Sequence, residues 1–188
     1  IFITDKDYQI VEVQDGIKLY YAANPINDLF SFTLSTDIGT YQDNRLGMAK
    51  ALMDKSGAGD LSPEILKKMW YTLGTDFNIG VEDFQTNISI SGLDDYLDTS
   101  LSLLHTYLTT PTTPKETLEE LIDITLTKRE DEKKNPRALR NALRQYSRLG
   151  ENSVYKRRIS TDALKKLTVE ELHNLIGGLS TYQHSILY

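Results

Sequence analysis

Hydrophobic and polar positions alternate through the first 40 residues as they do in half-buried strands. Residues 8–13 alternate, Asp15-Gly16 is a hairpin-turn pair, and residues 17–22 carry the pattern on. Asn24-Pro25 breaks it. Residues 29–36 predict a third strand, with Leu29, Ser31, Thr33 and Ser35 on one face and Phe30, Phe32 and Leu34 on the other. The period then changes. Residues 44–56 predict a helix with Leu46, Ala49, Leu52 and Met53 on one side, and Gly57-Ala58-Gly59 reads as its C-terminal stop. Ser62-Pro63-Glu64 is a helix start, with Ser as N-cap and Pro at the first helical position, and Gly74 ends that helix. Residues 77–81 and 85–91 form a further strand pair closed by Gly92, with Thr86, Ile88 and Ile90 on the buried face. Helices follow over 93–108, 114–132, 136–149 and 168–176, the last opened by Thr168 and Glu171 at capping-box spacing, and a final strand ends the chain. Strands joined by tight turns predict antiparallel pairing. The expected architecture is α+β, an antiparallel sheet of about six strands with helices packed on one face. Without repeat or linker, residues 1–188 are expected to form a single domain.

Composition narrows the function classes. The 188 residues are 39% hydrophobic and 26% charged, ordinary for a globular chain. No apolar run approaches the ~20 residues that span a bilayer, so no membrane partner is expected. The net charge of -6 argues against nucleic acid. With no cysteine, disulfides, thiolate metal sites and cysteine nucleophiles are excluded. A chain opening at Ile1 and stopping within a strand-like Ser185-Ile186-Leu187-Tyr188 is expected to be a fragment of a longer protein.

Candidate chemistry is sparse. His105, His173 and His184 lie 68 and 11 residues apart, so no pair sits four residues apart to hold zinc on one helical face. Asp94-Asp95, Glu119-Glu120 and Glu130-Asp131-Glu132 are adjacent acids that diverge by about 100° on a helix, and a solvated face is expected. No nucleophile-elbow serine or phosphate-binding glycine loop is present.

Charge is unevenly spread. Residues 128–158 hold 11 Lys/Arg against four acids, a net +7, which leaves -13 on the remainder. Arg137, Arg140, Arg144 and Arg148 step by 3, 4 and 4 and share one helical face, with Leu139, Ala142, Leu143 and Tyr146 expected on a core-facing side. The arginine stripe is either a solvated face or a docking surface for an acidic domain or peptide.

Ordered over nearly the whole chain are stretches that together resemble a known family: Asn24-Pro25-Ile26-Asn27-Asp28-Leu29-Phe30, Ile38-Gly39, Leu61-Ser62-Pro63-Glu64, Tyr71-Thr72-Leu73-Gly74, Ser89-Ile90-Ser91-Gly92-Leu93, Lys133-Lys134-Asn135-Pro136 and Tyr182-Gln183-His184-Ser185. The resemblance is to the non-catalytic halves of pitrilysin/insulinase-type zinc metallopeptidases (inverzincins), and to the first domain of the C-terminal half. It implies a LuxS/MPP-like metallohydrolase type of fold. Active domains of that family carry a helical H-x-x-E-H motif, two histidines binding zinc and a glutamate activating the bound water. The resemblance sets Lys50, Met53 and Asp54 at those places, a degenerate motif, and Glu119 or Glu120 near the place of the third ligand.

No catalytic residue, cofactor or metal is therefore expected here, and zinc is expected in a catalytic domain of the parent protein. The implied role is a structural domain of a zinc metalloendopeptidase, shaping the substrate chamber and docking on neighbouring domains. Its partners would be other domains of the same polypeptide and the parent's peptide substrate. The alternative is a zinc-free scaffold subunit related to processing-peptidase core proteins. For a bacterial source the resemblance implies a periplasmic or secreted place.

Overall fold

In the computed structural model, which describes residues 8–188, the 2.0 and 3.6 periodicities become one mixed sheet with helices on one side. The expectation for the first 40 residues also covers 1–7, which lie outside the described residues. Strands β1 (Gln9–Gln14) and β2 (Ile17–Tyr21) form the expected hairpin around Gly16, whose φ is 74°. Strand β3 (Leu29–Thr36) pairs along its whole length with β6 (Thr86–Leu93), which also pairs with β5 (Asp76–Val81).

The last strand, β8 (His184–Leu187), lies between β2 and β3, antiparallel to β3 but parallel to β2. The sheet order is β1-β2-β8-β3-β6-β5, so the antiparallel expectation holds for four of its five neighbouring pairs. The break at Asn24-Pro25 explains the exception. The chain must step across one strand position between β2 and β3, and Asn24 shapes that step by accepting from Ile26 N (3.1 Å) and donating to Leu29 O (3.0 Å).

Two glycine assignments are corrected. Helix α1 (Leu46–Met53) ends at an αR residue, Asp54, and Gly57-Ala58 is not a helix stop but a short strand, β4 (Gly57–Ala58). It pairs with β7 (Pro111–Thr112), and a Cβ on Gly57 would sit 2.1 Å from Leu61 O. Gly92 does not close the strand pair either. It lies inside β6 opposite Phe30, where a side chain would meet Gly74 O at 3.0 Å.

Helix α2 (Pro63–Leu73) starts and stops as its sequence predicts: Ser62 Oγ accepts from Ile65 N (3.3 Å), Pro63 is the first helical residue, and Gly74 takes the left-handed conformation at φ 60°. Helix α3 (Leu97–Thr109) begins later than expected, because β6 runs to Leu93 and a 3-10 turn follows at Asp94–Tyr96. Helices α4 (Lys115–Lys134) and α5 (Pro136–Leu149) are divided at Asn135, whose side chain accepts from Arg137 N (2.9 Å). Two short helices, α6 (Val154–Arg157) and α7 (Thr161–Leu164), were not predicted, since four residues carry no periodicity. Helix α8 (Val169–Gly177) has the capping box between Thr168 and Glu171.

The core lies between the sheet and α1, α2, α3 and α8. Phe30, Ile79, Ile88 and Ile90 face it from the strands, and Leu46, Leu52, Leu172 and Ile176 from the helices, all at most 4% exposed. Burying each such side chain stabilises the fold by roughly 1.5–3 kcal/mol. The other sheet face is built of small polar side chains, with Ser31, Thr33 and Ser35 on β3 beside Ser91, Ser89 and Asn87 on β6. Arg45 fixes the start of α1, pairing with Asp43 (2.6 Å) and reaching Glu171 of α8 (3.4 Å). The bond from Arg45 holds the Asp43 carboxyl below its ordinary range.

Helix α5 departs from expectation. Leu139, Leu143 and Tyr146 do not face a core: they are 46%, 71% and 49% exposed, and no residue of α5 is buried. The helix rests on α4 through the partly covered Ala138, Ala142 and Gln145 instead. The expected core-facing side is thus corrected: the covered arc is displaced to Ala138, Ala142 and Gln145, and the apolar side that the periodicity picks out faces solvent.

Candidate functional site

The three positions set by the resemblance lie on α1, and its packing decides what each can do. Lys50 and Asp54 are partly exposed and pair across one turn, with Lys50 Nζ 2.5 Å from Asp54 Oδ2. The basic residue precedes the acidic one, the weaker orientation, so the pair contributes a few tenths of a kcal/mol. Met53 is 0% exposed and fills the core. Its carbonyl, which already accepts from Ser56 N (2.8 Å), takes a second hydrogen bond from the hydroxyl of Tyr107 on α3. Burial, aided by the Asp54 charge, pushes the Tyr107 phenol well above its ordinary value. Phe77 stands edge-on to Tyr107 at 5.1 Å and stacks on Trp70 at 5.5 Å. This aromatic wall and Asp54 border a hollow of about 470 Å³.

Nothing in this arrangement suits a zinc ion. An ammonium stands where a neutral imidazole would be needed, the carboxylate of Asp54 is already paired, and a thioether fills the space of the base. Glu119 and Glu120 are exposed on α4, and Glu119 pairs with Lys115 at 3.1 Å. Among the described residues, no three His, Asp or Glu side chains converge as a metal would require.

The structure brings together one group the sequence did not mark. His173 of α8 is 9% exposed, and its Nε2 lies 3.0 Å from Thr113 Oγ1 and 3.3 Å from Ser56 Oγ. Ser56 Oγ donates to Leu52 O (2.9 Å) and lies 2.5 Å from Thr113 Oγ1. A serine whose proton is held by a backbone carbonyl is not poised as a nucleophile. The set closes when His173 Nε2 carries the ring proton and Thr113 donates to Ser56. It ties the end of α1 to α8 and to the segment before α4. No spacing could have revealed it, because the three residues are 57 and 60 positions apart.

Burial lowers the pKa of His173 from its ordinary value of 6.5. The folded state therefore binds this proton less readily than the unfolded chain. Its contribution is whole above pH 6.5 and is lost as pH falls toward the lowered value. His173→Gln is expected to lower the urea midpoint at pH 7 and to shrink the difference between pH 7 and pH 5. An unchanged difference would show that His173 is not the group that titrates.

His105 is exposed, and His184 is 9% exposed with Nδ1 2.8 Å from Tyr182 O. Arg137, Arg140, Arg144 and Arg148 are all exposed along one side of α5. No helix among the described residues is long and apolar enough to cross a membrane.

No protein-family model matches the chain, and no curated protein does. Solved structures do. A peptidase M16 inactive domain from Pseudomonas fluorescens aligns over 96% of the chain with a TM-score of 0.76 at 19% identity. The periplasmic protease PqqL from Escherichia coli aligns over 99%, with a TM-score of 0.81 at 14% identity. The ferredoxin protease FusC, solved as a mutant with Arabidopsis ferredoxin, aligns over 96%, with a TM-score of 0.81 at 13% identity. The chain spans 46%, 21% and 20% of those three structures. At these identities the likeness is one of fold: six mixed strands with helices on one face, the fold of the M16 peptidase inactive domain.

Proposed function

We propose that the chain is a non-catalytic domain of a pitrilysin/insulinase-type zinc metalloendopeptidase, one inactive domain over residues 1–188 of a larger multidomain protein. It walls the substrate chamber and docks on neighbouring domains, while the zinc and the peptide chemistry belong to a catalytic domain elsewhere in the parent. The observation that carries this reading is α1. Its packing is intact, with Leu46, Leu52 and Met53 fully buried, while the positions that would do chemistry hold Lys50, Met53 and Asp54. The fold match to an M16 inactive domain supports the same reading.

The arginine stripe of α5 supplies a contact that can hold and release. Exposed ion pairs each contribute at most ~1 kcal/mol and are screened by salt. Arg137→Glu with Arg140→Glu is expected to leave the melting temperature of the 188-residue chain within about 2 °C, since neither side chain is packed. In the parent protein the same pair of changes is expected to alter the salt dependence of zinc-dependent peptide hydrolysis. A parent without such hydrolysis would replace the peptidase reading with the zinc-free scaffold one. Unaltered salt dependence would leave the stripe a solvated face.

A further inference from the structure

The docking reading leaves a second surface of α5 unused, and its chemistry is more specific. Leu139, Leu143 and Tyr146 recur at intervals of four and three and form a straight exposed stripe about 10 Å long. Beside it, between α4, α5 and α7, lies a hollow of about 370 Å³ whose apolar wall includes Leu139, Ala142 and Ile159. Arg129 of α4 lines this hollow partly buried, and among the described residues it has no hydrogen-bond or ion-pair partner.

The neighbouring carboxylates are already engaged. Glu132 pairs with Arg158 at 2.5 Å, Glu130 with Lys133 at 2.6 Å, and Glu151 with Lys156 at 3.4 Å. Arg129, Lys133 and Arg158 face the hollow against Glu132 alone. Arg140, also without an ion-pair partner among the described residues, follows Leu143 by 60° around the helix on the opposite flank of the stripe. The apolar line therefore runs between two guanidinium groups that make no hydrogen bond or close ion pair among the described residues, Glu132 supplying the one nearby acidic charge that Arg129 feels.

We propose that this surface is the docking site for an acidic amphipathic helix from a neighbouring domain of the parent protein, an assignment that rests on the docking reading above. The partner's apolar side chains lie along Leu139, Leu143 and Tyr146. A carboxylate on one flank enters the hollow to meet Arg129, and a carboxylate on the other flank meets Arg140. Charge complementarity selects the partner. A purely apolar helix would desolvate Arg129 further with only the charge of Glu132 nearby, a carboxylate already bonded to Arg158, and a basic one would add like charge to a segment that is already +7. A helix is favoured over an extended strand because spacings of four and three along a rod match the ridge of a second rod.

Fluorescence anisotropy of labelled 18-residue peptides on the 188-residue chain tests this. The probe is a leucine-striped helical peptide with glutamates on both flanks. The controls are the same peptide with lysines in place of the glutamates, and one interrupted by a central proline. The glutamate peptide is expected to bind at least tenfold tighter than either control. Arg129→Gln and Leu143→Asp are each expected to weaken it about tenfold or more. Leu143 is 71% exposed, so Leu143→Asp should keep the wild-type melting temperature and separate lost binding from lost folding. Absent binding, equal binding of the lysine or proline peptide, or indifference to Leu143→Asp would overturn the proposal. The assay involves no hydrolysis, so such a failure leaves the peptidase-domain reading standing. Equally, a parent without zinc-dependent activity would leave this binding result intact.

Discussion

Met53→Glu is expected to lower the stability of the chain by about 4 kcal/mol and its urea midpoint by about 2 M. Met53 is 0% exposed, and its neighbours on α1 include Ala49 and Leu52, both equally enclosed. A carboxylate there loses its hydration. The nearest basic side chain on the helix, Lys50, points to the surface and is held by Asp54 at 2.5 Å. The new group must therefore stay protonated or unpack α1, and either outcome removes core contacts. The loss should be smaller at pH 4 than at pH 7, because a protonated glutamic acid is cheaper to bury than its anion. Zinc should restore nothing, as the one carboxylate beside it, Asp54, is held by Lys50 and no third ligand converges there among the described residues. A midpoint shift under 0.5 M, or recovery on adding zinc, would mean that position 53 is open to solvent or to metal after all.

Gly57→Ala is expected to be nearly as damaging, about 3 kcal/mol, or roughly 1.5 M in urea. The obstacle is backbone. A Cβ at this position would lie 2.1 Å from Leu61 O, the same carbonyl that accepts from Ala58 N at 3.0 Å. Relief requires opening the loop from Gly57 to Leu61, which also carries the pairing of β4 with β7. Gly47→Ala is the internal control. Gly47 lies within α1, and a Cβ added there would meet nothing within 4 Å, so alanine should stabilise by about 0.5–1 kcal/mol. Equal effects from the two substitutions would show that the close approach at Gly57 is absent in solution.

What the sequence disclosed and what it hid follow from the range of the forces involved. Local rules were legible. Ser62 and Pro63 start α2, Gly74 stops it, Thr168 and Glu171 cap α8, and the alternation of Thr86, Ile88 and Ile90 gives the buried face of β6. Each is decided within a few residues. The parallel place of β8 was not legible, because pairing partners more than 160 positions apart leave no mark on either strand. Gly57 was misassigned because a glycine after a helix has a common local explanation, and only the tertiary approach of Leu61 O supplies another. On α5, periodicity correctly separated apolar from basic residues but could not say which arc would find a partner. At the candidate site, the lack of histidine on α1 was plain from the sequence. The grouping of Ser56, Thr113 and His173 required the fold.

The insertion of β8 has a consequence for the order in which the molecule can be assembled. The hairpin of β1 and β2 touches the rest of the sheet through β8 alone, since β2 has no other neighbour on that side. Emerging from a ribosome, residues 29–93 can pair β3, β6 and β5 early, but the hairpin must wait for residues 184–187. A two-stranded hairpin by itself is marginal in water. During synthesis the edge of β2 that β8 will cover, at Lys18, Leu19 and Tyr20, stands unpaired for the time needed to translate more than 160 residues. Closing the sheet from the far end makes β8 a keystone, and completion of the sheet a checkpoint passed only once its four residues have left the ribosome.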